Sequence, residues 1–209
     1  MDFLTNTNVL FYLMAYLIGA IPFGLVLAKM FAKVDITSEG SKSIGATNVL
    51  RVVSEKDPKL AKKLGAGTLV LDALKGMIIL AVAKMAGIDE SVLWGMAVLA
   101  VLGHCYSPYL MFEGGKGVAT SFGVLLFMLP IETILAFVSW AFMAKSVKIS
   151  SLSSLVGLLI LLISMNVIHP TLPEINSQVP VYLIAFIIVY KHIPNIIRLI
   201  KKEEQKVAL

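Results

Sequence analysis

The chain has 209 residues, of which 58% are hydrophobic and only 15% are charged, and its mean hydropathy is +0.88. A soluble domain of this size needs more charge to cover its surface, so the composition excludes one and requires an integral membrane protein. The net charge of +5 comes with a single cysteine, Cys105, which excludes an internal disulfide.

In chain order, apolar runs predict membrane helices near 9–30, 68–86, 92–110, 116–130, 131–147, 152–168 and 180–193. The first, Val9 to Met30, has no positively charged leader and no small-residue cleavage site, so it reads as a retained helix and not as a signal peptide. Several of the others fall short of the roughly 20 residues that cross a bilayer core, which requires neighbours to protect them or ends that stop at the interface. Between the fourth and fifth stands Leu129-Pro130-Ile131-Glu132, whose proline and charge predict a tight turn and not one continuous span. The fold class is therefore all-α, a seven-helix integral membrane protein forming a single membrane-embedded domain over residues 1–209.

Charge sets the orientation. With the N-terminus outside and the C-terminus cytoplasmic, residues 31–67, 107–116, 145–151 and 194–209 face the cytoplasm, and with the adjoining helix ends they hold nearly every Lys and Arg. The opposite loops, 87–91 and 169–179, have no Lys or Arg and carry Asp89, Glu90 and Glu174.

Two polar stretches interrupt the apolar chain. One runs from Gly40-Ser41-Lys42-Ser43 through Ile44-Gly45-Ala46-Thr47-Asn48-Val49-Leu50-Arg51; the other joins Gly103-His104 to Phe112-Glu113-Gly114-Gly115-Lys116-Gly117-Val118-Ala119-Thr120. Glycines admit backbone N–H groups close to a ligand, hydroxyls donate hydrogen bonds, and Arg51 and Lys116 bring charge, which is what a phosphate group requires. The topology places both stretches at the cytoplasmic face with Ser150-Ser151-Leu152-Ser153-Ser154 and the His192 to Arg198 segment, so four distant segments converge on one membrane surface.

Each feature alone has a plainer reading. The Gly114 to Gly117 run serves equally as an interfacial turn with a snorkelling lysine, and it is not a P-loop, because Leu110 stands where the first glycine belongs and Gly117 follows the lysine in place of Ser or Thr. Gly45 to Asn48 suits a helix cap, Arg51 suits a lipid headgroup, and Asp72 with Lys75 suits an intrahelical pair. His104 fits a buried, hydrogen-bonded histidine as well as a catalytic one, and the serines at 150–154 fit a cap on the sixth helix.

Taken together, Tyr16-Leu17-Ile18-Gly19-Ala20-Ile21-Pro22-Phe23-Gly24, Ile44 to Arg51, Asp72-Ala73-Leu74-Lys75-Gly76, Gly103-His104 with Gly114 to Thr120, and His192 with Asn195-Ile196 and Arg198-Leu199 resemble the bacterial acyl-phosphate-dependent glycerol-3-phosphate acyltransferases nearly end to end. The resemblance implies a seven-helix enzyme of the bacterial inner membrane, with its site at the cytoplasmic face. It would move a fatty acyl group from acyl phosphate to the 1-hydroxyl of sn-glycerol 3-phosphate, giving lysophosphatidic acid and phosphate for phospholipid synthesis. As catalytic residues it implies Ser41, Arg51, Lys116, His192 and Asn195. As substrate-binding residues it implies Gly45, Thr47, Asn48, Asp72, Lys75, His104, Gly114, Gly115, Gly117, Thr120, Ser151 and Ser154. Its partners would be acyl phosphate, glycerol 3-phosphate, membrane lipids and the soluble enzyme that makes acyl phosphate, with no nucleic acid, cofactor or metal. Two departures stand out: Lys42 and Ser43 occupy the middle of a loop that usually reads Gly-Ser-Gly-Asn, and Lys202 replaces a usual glycine before Glu204.

The residues are chemically consistent with that reaction. An acyl phosphate is a mixed anhydride with a good leaving group, so alignment and donors aimed at the oxyanion and the leaving phosphate suffice without a protein nucleophile. Acyl-CoA-dependent enzymes of this type carry a His followed five residues later by Asp; neither His104 nor His192 has an acid at that distance, and His169 has Glu174 there but on a loop that faces outside, so an acyl-CoA donor is disfavoured. A transporter for an anionic metabolite is the rival class. Transporters, however, gather broken helices and charge near the midplane in two related halves, and here the polar motifs lie at one face without an obvious repeat.

Overall fold

The computed structural model describes residues 6–172 and 174–206, so both termini, whose sides of the membrane the charge pattern assigns, lie outside the described residues. Among the described residues the chain is helical throughout: α1 Thr7–Gly19, α2 Phe23–Leu27 running into a π-helical turn Ala28–Ala32, α3 Ala46–Ser54, α4 Pro58–Met85, α5 Glu90–Cys105, α6 Val118–Met128, α7 Pro130–Val147, α8 Ser150–Ile168 and α9 Val179–Ile200, with a 3₁₀ turn at Pro108–Leu110.

Each expected apolar segment falls on one of these helices, or on the broken pair α1–α2. That pair bends by 40° where Ile21 and Pro22 interrupt the ladder. Helices α4, α7, α8 and α9 are long and apolar enough to cross a membrane singly, the bent pair adds a fifth, and α5 and α6 are apolar but shorter. The chain is an integral membrane protein. The turn expected near Pro130 is a single residue, Leu129, with Pro130 opening α7.

Several boundaries differ from the sequence expectation: α5 stops at Cys105 and not near 110, and α9 runs on through Pro194 to Ile200 and does not end near 193. Helix α4 begins at Pro58, ten residues before the apolar run, because Asp57 caps it by accepting from the backbone N–H groups of Lys59 at 3.0 Å and Leu60 at 2.9 Å. The serine cluster does not cap α8: Ser150 is already helical, and Ile149 precedes it without a side-chain bond.

Burial forms two clusters. The larger surrounds α5, with Leu93, Trp94, Met96, Ala97 and Ala100 fully inside. The smaller lies beneath α3, where Val49, Val52 and Val53 recur at helical spacing against Leu25, Val34, Ile36 and Leu64. Helix α3 therefore lies over the chain linking the first and second spans, with one face committed to packing and the other free to carry Thr47 and Arg51. Helix α7 is peripheral: Ile131, Ile134, Leu135, Val138 and Phe142 are all exposed, as suits contact with lipid.

Candidate active site

The segment after α5 folds back over that helix's end. Ser107 and Glu113 form an isolated bridge, and the Gly115 N–H donates to the His104 carbonyl at 3.0 Å. A Cβ at Gly115 would collide with Nε2 of His104, and Gly117 has φ +82°, so the run Gly114 to Gly117 lies flat against α5 only because it lacks side chains there. The fold carries Lys116 on this loop, ahead of α6 and half-buried.

Around Lys116 the distant segments meet. Burial pulls its ammonium down to about 8, Glu204 opposes that fall, and the charges of Arg198, Arg51 and Lys191 are near enough to reinforce it. Arg51 and Lys116 have no ion-pair partner among the described residues. Thr47 on α3 shares a hydroxyl–hydroxyl bond of 3.0 Å with Ser150, tying α3 to the start of α8.

Glu204, beyond α9, is the hub on the other side. Its Oε1 accepts from the Ser151 hydroxyl at 2.8 Å and from the Asn195 amide at 2.6 Å, and its Oε2 accepts from Nε of Arg198 at 2.6 Å. Burial alone would raise its carboxyl, but the bonds from Asn195, Ser151 and Arg198 outweigh that and hold it below the usual carboxylate range. His192 is buried one turn before Asn195 and donates from Nδ1 to the Ile188 carbonyl at 2.8 Å, which leaves its Nε2 lone pair free to accept.

The remaining sequence-predicted residues divide. Thr120 is buried on α6 with no partner for its hydroxyl among the described residues, and Ser154 donates to the Ser150 carbonyl at 3.0 Å. Asn48 is fully engaged by its own loop: its amide donates to the carbonyls of Ile36 at 2.9 Å and Glu39 at 3.2 Å and accepts from the Ser41 N–H at 2.8 Å. Ser41 itself is exposed, and no hydrogen bond ties its hydroxyl to the Lys116 cluster among the described residues. Gly45 is the N-cap residue of α3.

Asp72, Lys75 and His104 form a separate buried group. Lys75 donates to Asp72 Oδ1 at 2.7 Å, to the Ile21 carbonyl at 2.8 Å and to Nδ1 of His104 at 3.0 Å. These three residues bond one another and the break in the first span, so their polar atoms serve the helix junction behind the glycine loop.

Beside the charged cluster lies an apolar cavity of about 400 Å³ between α4, α6, α7 and α8, with Leu74, Phe122, Leu158, Ser154 and Ile188 among its walls. Ser121, unread from the sequence, lines it with a buried hydroxyl that has no partner among the described residues. Among the described residues no group of three or more His, Cys, Asp or Glu side chains is placed to hold a metal ion.

Fold and site define a class: polytopic helical membrane proteins that gather cations and hydroxyls beside an acyl-sized apolar cavity. Within that class the assignment is specific. The family described as glycerol-3-phosphate acyltransferase matches residues 9–202, and the chain belongs to it. It is 62% identical over 208 residues to the glycerol-3-phosphate acyltransferase of Sulfurimonas denitrificans, covering 100% of both chains. It is 63% identical over 207 residues to that of Aliarcobacter butzleri, covering 99% of this chain and 100% of the relative. Its fold matches the crystal structure of the integral membrane glycerol 3-phosphate acyltransferase PlsY in the glycerol 3-phosphate form, with a TM-score of 0.85 and 34% identity over 97% of this chain and 96% of that one. The lysophosphatidic acid form of PlsY matches with a TM-score of 0.81 and 33% identity.

Proposed function

We propose that this protein transfers a fatty acyl group from acyl phosphate to the 1-hydroxyl of sn-glycerol 3-phosphate, releasing lysophosphatidic acid and phosphate. The observation that carries this reading is the adjacency of the Arg51, Lys116, Lys191 and Arg198 charges to an apolar cavity of about 400 Å³. One substrate set needs both at once, a phosphate group and a fatty chain. The PlsY forms bound to glycerol 3-phosphate and to lysophosphatidic acid support it.

In this mechanism Arg51 and Lys116 hold phosphate oxygens, with the amides of Gly114 and Gly117 completing the cradle, while the Gly115 and Gly45 N–H groups hold their own loops in shape. Ser41, Thr47, Ser151, Ser154 and Asn195 orient hydroxyls, and the Nε2 lone pair of His192 accepts from the glycerol 2-hydroxyl, which aims the neighbouring 1-hydroxyl and leaves its proton free for phosphate. That oxygen attacks the acyl carbonyl, the carbonyl carbon–phosphate oxygen bond breaks, and a phosphate oxygen takes the glycerol proton, so no protein nucleophile or base is consumed. Alignment of two bound reactants is worth roughly 7–11 kcal/mol, enough to carry much of the rate for so activated a donor. Thr120 and the group Asp72, Lys75 and His104 support the loop and cavity wall from behind.

The site faces the cytoplasm of a bacterial inner membrane, with the N-terminus outside, on the strength of the Lys and Arg asymmetry. Cysteine labels at Ser43, Glu113 and Gln205 should react from the cytoplasmic side and one at Asp89 from the other; labelling of Ser43 and Asp89 from the same side would overturn the orientation. For the reaction, purified protein in detergent should release phosphate and form lysophosphatidic acid from acyl phosphate and glycerol 3-phosphate. Comparable turnover with acyl-CoA would overturn the donor assignment.

A further inference from the structure

A second cavity, of about 310 Å³, adjoins the first and shares two of its wall residues, Leu69 and Trp140. It opens between α3, the early turns of α4 and the junction of α7 with α8. Leu50 and Ala144 extend the apolar surface, and two lysines, Lys62 and Lys148, stand on its lining. Both lysines are exposed, and neither has an ion-pair partner among the described residues. Lys148 ends α7 in a left-handed conformation, φ 60°, with its N–H held by the Ala144 carbonyl at 3.1 Å, so the backbone that carries this ammonium is fixed at the α7–α8 corner.

The chemistry of the lining selects a ligand. A soluble anion such as glycerol 3-phosphate gains nothing from Leu50, Leu69 and Trp140, and a neutral lipid has no use for two unpaired ammonium groups. A phosphate headgroup on one fatty chain satisfies both, with the chain along Leu69 and Trp140 and the phosphate between the lysines. A lipid with two chains needs more room than a cavity smaller than the one assigned to a single chain. Leu69 and Trp140 line both cavities, so the two share an apolar wall.

We propose that this second cavity is a boarding site for a single-chain lipid phosphate, holding acyl phosphate before its chain enters the reaction cavity and lysophosphatidate as it departs. The proposal rests on the donor reading given above. It assigns Lys62 and Lys148 to capture and leaves the chemistry to Arg51 and Lys116.

The test compares wild type with Lys62→Glu/Lys148→Glu, with the cavity-filling Ala66→Phe, and with Lys63→Glu, an exposed lysine on the same helix outside the lining, all in nanodiscs of zwitterionic lipid. The double variant should raise KM for palmitoyl phosphate at least about fivefold, since each interfacial lysine attracts a lipid anion by about that factor. KM for glycerol 3-phosphate, KM for water-soluble butyryl phosphate and kcat should stay unchanged. Ala66→Phe should act in the same direction, and Lys63→Glu should not. An unchanged KM for palmitoyl phosphate in the folded double variant overturns the proposal, as does an equal rise for butyryl phosphate. Displacement of bound lipid by equimolar inorganic phosphate also overturns it, since that result marks a free-anion site. If wild-type protein rejects acyl phosphate altogether, the donor reading falls. The cavity is then decided by quenching of Trp140 with chain-brominated lysophosphatidate: weaker quenching in the double variant upholds the site, and equal quenching overturns it.

Discussion

Lys75 donates its ammonium to Nδ1 of His104 across 3.0 Å. Lysine has nothing to accept with, so the imidazole must carry its proton on Nε2, the nitrogen that lies against Gly115. His104 is thereby a donor toward the glycine loop and has no lone pair left with which to take a proton from substrate.

This tautomer separates His104 from the charged groups in its effect. His104→Ala leaves the buried Lys75 ammonium short of an acceptor, at a cost of about 1–3 kcal/mol in stability, and should lower Tm clearly. Its kcat should fall less than in Arg51→Ala or Lys116→Ala. A folded His104→Ala protein that binds both substrates and has lost the chemical step would instead make His104 the base.

Arg51→Ala and Lys116→Ala should each lower activity about tenfold to a hundredfold, since each removes charge-assisted bonds worth about 1.5–3 kcal/mol. Lys116 also sets a pH limit. Its ammonium is held down at about 8, so kcat/KM for glycerol 3-phosphate should fall as pH rises through that value. Stability moves the other way: the unfolded chain holds this proton to higher pH than the fold does, so folding strengthens from about 8 upward. Lys116→Arg should abolish the limb, because a guanidinium stays charged to above about 12, while restoring only part of the rate, since a planar fork does not reproduce a compact ammonium among tightly turning glycines.

Glu204→Gln should loosen the tail that joins α8 to α9. The fold holds the Glu204 carboxyl below its unfolded range, so the stabilisation is complete above the ordinary carboxylate range and is lost as pH falls through the depressed folded value. The Tm difference between wild type and Glu204→Gln should therefore be full near neutral pH and shrink in acid; a difference that persists unchanged in strong acid refutes the assignment. The magnitude is modest, because the Arg198 side chain in this pair is 41% exposed.

Lys42 and Lys202, the two lysines that replace usual glycines, both adopt left-handed backbone conformations, with φ 58° and 59°. Lys42→Gly and Lys202→Gly should each raise stability by about 0.5–1 kcal/mol, the relief of left-handed strain exceeding the added freedom of the unfolded chain. Chemical denaturation of the single variants checks this, and a loss of stability at both positions refutes it.

The membrane helices were legible because apolar runs and Pro130 act locally. Helix α3 was less so: its nine residues carry a polar motif, and the spacing of Val49, Val52 and Val53 becomes meaningful only once the cluster beneath it exists. The start of α4 escaped a hydropathy reading because Lys59, Lys62 and Lys63 sit on turns outside the apolar run. Arg51 and Lys116 stand out from residue type as candidates for binding an anion. Glu204 was not, since nothing in the sequence announces that the tail returns to Ser151, 53 positions away. Likewise Lys75 reads as half of an intrahelical pair, and its bond to His104 depends on how α4 meets α5.

The brevity of α6 bears on where the two substrates meet. At about 1.5 Å per residue, its 11 residues reach about 17 Å and the 19 residues of α8 about 28 Å. The far ends of these helices are level, because Glu132, just past the α6–α7 turn, bonds to His169, just past α8, at 2.5 Å. For similar tilts the near end of α6, and Lys116 with it, therefore sits about 10 Å deeper than the start of α8. On the proposed reading, the reaction would therefore take place at the bottom of a recess and not level with the start of α8. There a hydrophilic acceptor would descend from water while the fatty chain arrived sideways from the bilayer, and bulk solvent, the competing acceptor for the proposed acyl phosphate, would be kept above.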